Sequence, residues 1–120
     1  MKRILVVEDN VGVGNVIAAC LTSYHVTITH NGPEALARAS QLPACDLLIT
    51  DYLMPAISGE EVSRRLRVMH PGAKTLLLTG YADFLEIDQA GVDARMSKPF
   101  APEALRATVK QLIGGPAALD

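Results

Sequence analysis

The sequence predicts an α/β protein: a doubly wound sheet of five parallel strands with helices on both faces. Three observations carry that prediction. Short runs of purely apolar residues recur along the chain, and such runs suit strands covered on both faces. Segments of helical period lie between them. Polar residues close the runs at what would be strand carboxyl ends, where ligands bind in open parallel sheets.

The elements follow in order. Ile4-Leu5-Val6-Val7 forms the first run and ends at Glu8-Asp9-Asn10. Val16, Ile17, Cys20 and Leu21 share one face of a first helix. Val26-Thr27-Ile28-Thr29 is β-branched throughout, as expected of a strand nearer an edge. Asn31-Gly32-Pro33-Glu34 then signals a helix start with a proline in the first turn, and Leu36 and Ala39 supply its inner face. Leu47-Leu48-Ile49 ends at Thr50-Asp51. Ser58 and Glu61 form a capping box ahead of a third helix with Val62, Leu66 and Met69 on one side. Leu76-Leu77-Leu78 ends at Thr79-Gly80. A short fourth helix is expected from Asp83, which caps it, with Glu86 in its first turn. Asp93 to Ser97 reads as the fifth strand from its place in the order. Pro102 opens the last helix, whose inner stripe is Leu105, Val109 and Leu112, and Gly114-Gly115-Pro116 stops it. One domain over residues 1–113 is expected, with 114–120 as a tail or the start of a linker.

Composition excludes several functions. The chain has 120 residues, enough for one core, and a formal net charge of −2. Lys and Arg are scattered without interleaved aromatics, so neither nucleic acid nor an anionic membrane is an expected direct partner. No stretch reaches the ~18 apolar residues of a membrane span, and no signal peptide is present; a cytoplasmic location is the expectation. Cys20 and Cys45 lack CxxC or zinc spacing and read as reduced interior thiols. His25, His30 and His70 lack metal spacing and read as solvated.

The chemistry gathers at corresponding places in different repeats. Glu8 and Asp9 follow the first strand, Asp51 ends the third, Thr79 the fourth, and Lys98 follows the fifth. Two carboxylates about 4 Å apart repel by roughly 4 kcal/mol at an effective dielectric near 20. Such a cluster holds protons or a cation, and an all-oxygen, partly hydrated site suits Mg²⁺ completed by phosphate oxygens. Asp51 could then attack phosphorus to give an acyl phosphate, with Lys98 neutralising charge and Thr79 donating a hydrogen bond.

Val6-Val7-Glu8-Asp9-Asn10, Ile49-Thr50-Asp51-Tyr52-Leu53-Met54-Pro55, Ser58-Gly59, Leu78-Thr79-Gly80-Tyr81 and Lys98-Pro99-Phe100 together resemble the response-regulator receiver family, from about Lys2 to Ile113. The resemblance implies a flavodoxin-like (βα)5 fold with strand order 2-1-3-4-5. It makes Asp51 the phosphoacceptor in a Mg²⁺-dependent reaction. Asp9 would ligate Mg²⁺ directly, with Glu8 holding a metal-bound water or sharing the ligation, Asp51 contributing its carboxylate and Leu53 its backbone carbonyl. Thr79 would be the switch hydroxyl, Lys98 the phosphate's partner, and Lys98–Pro99 a cis peptide. A histidine kinase or histidine phosphotransfer protein would be the donor, a downstream output domain or protein the recipient, and a homodimer is compatible. The implied chemistry is self-phosphorylation and slow loss, since Leu53 and Tyr81 offer attacking water no base. Turnover of an external substrate is not implied.

Rival readings fare worse. Gly12-Val13-Gly14 invites a dinucleotide site, but Ile17 holds the third glycine's place and the acids would repel a pyrophosphate. A phosphatase of the haloacid dehalogenase type needs a second acid two residues past its nucleophile, where Leu53 stands. A phosphorylation-independent interaction module of the same fold is the remaining alternative, and the complete acid, hydroxyl and lysine set argues against it. The chain departs from the family pattern in three ways. Arg95 stands where an aromatic switch residue is usual, so either an electrostatic readout or direct contact with a partner is expected. The stretch from Thr79 to Lys98 is about one helical turn short. Gly12 and Gly14 weaken the first helix by roughly 1 kcal/mol each, either freeing backbone beside the acids or merely tolerated.

Overall fold

The computed structural model describes residues 1–80 and 92–115. Strand β1 (Arg3–Val7) leads through α1 (Val11–Cys20) to β2 (His25–Thr29), then α2 (Gly32–Ala39) and β3 (Leu47–Asp51). Helix α3 (Gly59–Met69) precedes β4 (Lys74–Thr79), and β5 (Ala94–Ser97) precedes α4 (Pro102–Ile113). The short helix expected after Asp83 lies outside the described residues, as does the chain beyond residue 115.

All five strands pair in parallel in the order β2-β1-β3-β4-β5. The period-two geometry of a strand divides each apolar run between two cores. Ile4, Val6, Leu47, Ile49, Leu76 and Leu78 face α1 and α4, where Ile17, Leu21, Leu105, Val109 and Ile113 meet them. Leu5, Val7 and Leu48 face α2 and α3, against Ala35, Ala39, Val62 and Leu66. Full burial of residues 4–7 and 47–49 is what made those runs uniformly apolar. Edge strand β2 is only partly covered.

Caps set the helix starts. Asn10, Asn31 and Ser58 each accept a hydrogen bond from the backbone N–H three residues on, at 3.0, 2.8 and 3.2 Å. The faces are narrower than the sequence suggested: Val16 and Met69 are exposed, because Ile17 with Leu21, and Val62 with Leu66, already fill the contact. Gly14 is buried, yet a methyl there would meet only ordinary contacts with Ile28 and Glu8. Packing therefore does not require a glycine at that position.

Cys45 is buried and Cys20 half-buried, both as free thiols, and burial pushes the Cys45 thiol up to about 11. Two histidines depart from expectation. His30 Nδ1 lies 3.0 Å from the Glu8 carbonyl and His70 Nε2 lies 2.9 Å from the Ala39 carbonyl, so both tie loops or helix ends rather than standing in solvent. No helix among the described residues is long and apolar enough to cross a membrane.

Candidate phosphoacceptor site

Register alone brings the polar strand ends together. Val7 pairs with Thr50, Asp51 with Leu78, and Thr79 with Ser97. The ladder continues one residue past each strand: Glu8 N–H donates to the Thr29 carbonyl at 3.0 Å, Tyr52 N–H to Leu78 at 2.9 Å and Lys98 N–H to Thr79 at 2.7 Å. These bonds fix the backbones from which Glu8, Asp51 and Lys98 project. The Lys98–Pro99 peptide is cis.

Carboxylate oxygens of Glu8, Asp9 and Asp51 lie within 4.8 Å of one another. Lys98 Nζ bridges two of these acids, 2.5 Å from Glu8 Oε1 and 2.6 Å from Asp51 Oδ1. Glu8 is fully buried, Asp51 nearly so, and Asp9 is exposed. The second Glu8 oxygen accepts the Asn10 N–H at 3.1 Å. Burial raises the Glu8 pKa, but bonds with Asp51, Lys98, Asn10 and Asp9 outweigh it and leave the group below its usual value. Burial, reinforced by the hydrogen bond and charge of Glu8, instead lifts Asp51 to about 7 against the pull of Lys98. Burial lowers the Lys98 pKa, but its two carboxylate partners more than reverse this and raise it.

A cavity of about 190 Å³ opens onto the cluster, lined in part by Asp9, Asp51, Leu53, Thr79 and Lys98. Thr79 is buried and its hydroxyl donates to the Gly80 carbonyl at 2.7 Å. Leu53 is 63% exposed at the cavity's edge. The structure thus brings together Glu8, Asp9, Asp51, Leu53, Thr79 and Lys98. Arg95 stands apart from them on β5, half-buried and paired in register with Leu77. Lys98 also borders a larger, mostly apolar groove of about 640 Å³ between Val13, Val16, Pro99 and Phe100.

Three supporting residues were given no role at the site from sequence. Asn10 both caps α1 and anchors Glu8, a role that an Asn just ahead of a helical pattern signals. Gly59 begins α3 directly beneath Asp51, where any Cβ would collide with the Asp51 carbonyl oxygen. His30 meets the Glu8 carbonyl, a contact with no local sequence signal.

An all-oxygen set of three carboxylates, two of them buried, fits a hard divalent cation such as Mg²⁺.

The model of the response regulator receiver domain matches residues 4–110. Response regulator receiver protein CpdR of Brucella abortus is 39% identical over 105 residues, covering 83% of this chain and 87% of that protein. Hybrid signal transduction histidine kinase D of Dictyostelium discoideum is 35% identical over 116 residues, 92% of this chain but only 7% of its own length. The structure of response regulator TrrA from Thermotoga maritima, in complex with Mg²⁺-BeF, superposes with a TM-score of 0.81 at 35% identity, covering 93% of this chain and 99% of that one. The chain belongs to the response-regulator receiver family. Its function class is accordingly that of a phosphorelay receiver domain in two-component signalling.

Proposed function

We propose that Asp51 accepts a phosphoryl group from a phosphohistidine of a kinase or phosphotransfer protein, with Mg²⁺ held by Asp9, Glu8, Asp51 and the Leu53 backbone carbonyl. The observation that carries this reading is the Lys98 ammonium 2.6 Å from Asp51, inside a cavity also edged by Asp9.

A carboxylate oxygen of Asp51 attacks phosphorus, the phosphorus–nitrogen bond to the donor imidazole breaks, and the histidine leaves with that electron pair. When bound, Mg²⁺ supplies the positive charge that lets the acids and phosphoryl oxygens share one small space. Lys98 stays with the phosphoryl group as its counter-ion, and Thr79 exchanges its bond to Gly80 for one to a phosphoryl oxygen. Release of the Gly80 carbonyl, together with Arg95 on β5, carries the change to the output surface. Leu53 gives water no base, so the acyl phosphate is long-lived.

Incubation with acetyl phosphate and Mg²⁺ should add the mass of one phosphate, which persists well beyond seconds after the donor is removed. Asp51→Asn should abolish the addition; a variant that still gains it contradicts the assignment. Arg95→Ala should leave that mass shift intact while weakening phosphorylation-dependent binding of an output partner. Unchanged binding removes Arg95 from the switch.

A further inference from the structure

The two acids that follow β1 sit on either side of one peptide, and the orientation of that peptide is set from β2. Glu8 N–H donates to the Thr29 carbonyl at 3.0 Å, continuing the β1–β2 ladder. The next residue, His30, turns its ring back so that Nδ1 lies 3.0 Å from the Glu8 carbonyl. A carbonyl oxygen only accepts, so Nδ1 carries the proton of this bond. Consecutive residues of one segment thus hold both backbone polar groups of Glu8. The Glu8 carbonyl belongs to the planar unit that joins Glu8 to Asp9, so fixing its oxygen fixes the direction in which the chain delivers Asp9. Beyond Asp9 the chain is fastened again, where Asn10 N–H reaches Glu8 Oε2 at 3.1 Å. Asp9 itself is exposed, and packing does little to hold it. His30 is well placed to supply the constraint: it is half-buried, and its own N–H donates to Glu34 Oε1 of α2 at 2.7 Å. Asn31, which caps the same helix, accepts Glu34 N–H at 2.8 Å, so the ring stands on a secured backbone.

We infer that His30 is a positioning residue for the divalent-ion site: its imidazole orients the Glu8–Asp9 peptide and so presets the Asp9 carboxylate. This rests on the Mg²⁺ site proposed above. Groups that orient a ligand without touching the metal commonly contribute about 10- to 100-fold in affinity. The bond needs a donor at the place of Nδ1 rather than an imidazole as such. Asparagine puts its amide nitrogen the same number of bonds from the backbone, whereas leucine keeps comparable bulk and offers no donor. A ring that only stapled the edge strand would add stability without affecting uptake of the ion.

Titration of Mg²⁺ alone into metal-free protein, followed by calorimetry, tests this with no reading of phosphorylation. His30→Ala and His30→Leu should bind the ion about tenfold more weakly than the original chain. His30→Asn, which keeps the donor, should restore nearly the original affinity. If His30→Ala does not fold, the comparison of His30→Leu with His30→Asn still decides. Without the ion, the amide NMR signal of Asp9, which belongs to the same peptide as the Glu8 carbonyl, should shift in the donor-free variants and return in His30→Asn. Donor-free variants that take up Mg²⁺ as the original does confine His30 to stapling β2, which overturns the inference and leaves the ion site standing. A His30→Asn protein as weak as His30→Leu also overturns it, because the loss then does not run through the carbonyl. Absence of Mg²⁺ uptake by every protein, the original included, overturns the ion site itself and this role with it.

Discussion

Asp51 and Glu8 are chemically similar, and their surroundings separate them. Glu8 collects the Asn10 N–H and the Lys98 ammonium and stays ionised, whereas Asp51 is buried against that ionised neighbour and holds its proton up to about 7. The sign for stability follows. An acid whose folded-state pKa is raised binds its proton better when folded, so stability falls as pH rises between the unfolded and folded values. For Asp51 that window is about pH 4 to 7. Glu8, lowered, already contributes across that window and loses its contribution only in more acidic solution. Lys98, raised, keeps its contribution until far more alkaline solution. Without Mg²⁺, Asp51→Asn should match the original chain near the acid end and exceed it by about 2 kcal/mol above neutral pH. Urea unfolding at both ends of the range measures this, and equal stability above neutral pH would show that Asp51 carries no buried strain. The acids of this cluster were legible in sequence because they close apolar runs, whereas Lys98 follows a mixed strand and was placed by the order of elements and by Lys98-Pro99-Phe100. Their pKa order was not, because it depends on which oxygen Lys98 and Asn10 reach.

At the scale of elements, continuous apolar runs disclosed β1, β3 and β4, since a strand covered by helices on both sides has no polar face. The weak strand from Asp93 was legible only from its place in the order: half-buried β5 offers mixed residues, Ala94-Arg95-Met96-Ser97. Helix faces were overdrawn at Val16 and Met69, because periodicity fixes direction but not how wide a contact the neighbouring sheet leaves. Least legible was the β3–α3 connection, where contacts between residues distant in sequence decide the shape. Ala56 there has φ 75°, in the left-handed region that favours glycine. Ile57, the next residue, packs so close to Gly32 of α2 that a Cβ on that glycine would clash with it. The loop beside Asp51 is thus held by its neighbours in a conformation its own sequence disfavours. Ala56→Gly should relieve this and stabilise the protein by about 0.5 kcal/mol or slightly more, the backbone gain being partly offset by a freer unfolded chain. A higher urea midpoint at unchanged slope is the expected result, and a lower midpoint would deny the strain.

For the whole molecule, parallel register converts a linear sequence into one site. Residues separated by up to ninety positions meet because each follows or ends a strand and neighbouring strands end within one residue of each other. The sequence disclosed this convergence once the order of elements was read, although the strand order itself came from family resemblance. Charge balance across the site then points to the function: three acids, one lysine and one buried hydroxyl around a small cavity open to solvent. Borohydride reduction of protein phosphorylated by acetyl phosphate with Mg²⁺ tests the central claim most directly, because it converts an acyl phosphate on aspartate into homoserine. The account predicts homoserine at position 51. Reduction at Glu8 or Asp9 instead, or a phosphate that resists borohydride and hydroxylamine as a serine or threonine ester does, would contradict it.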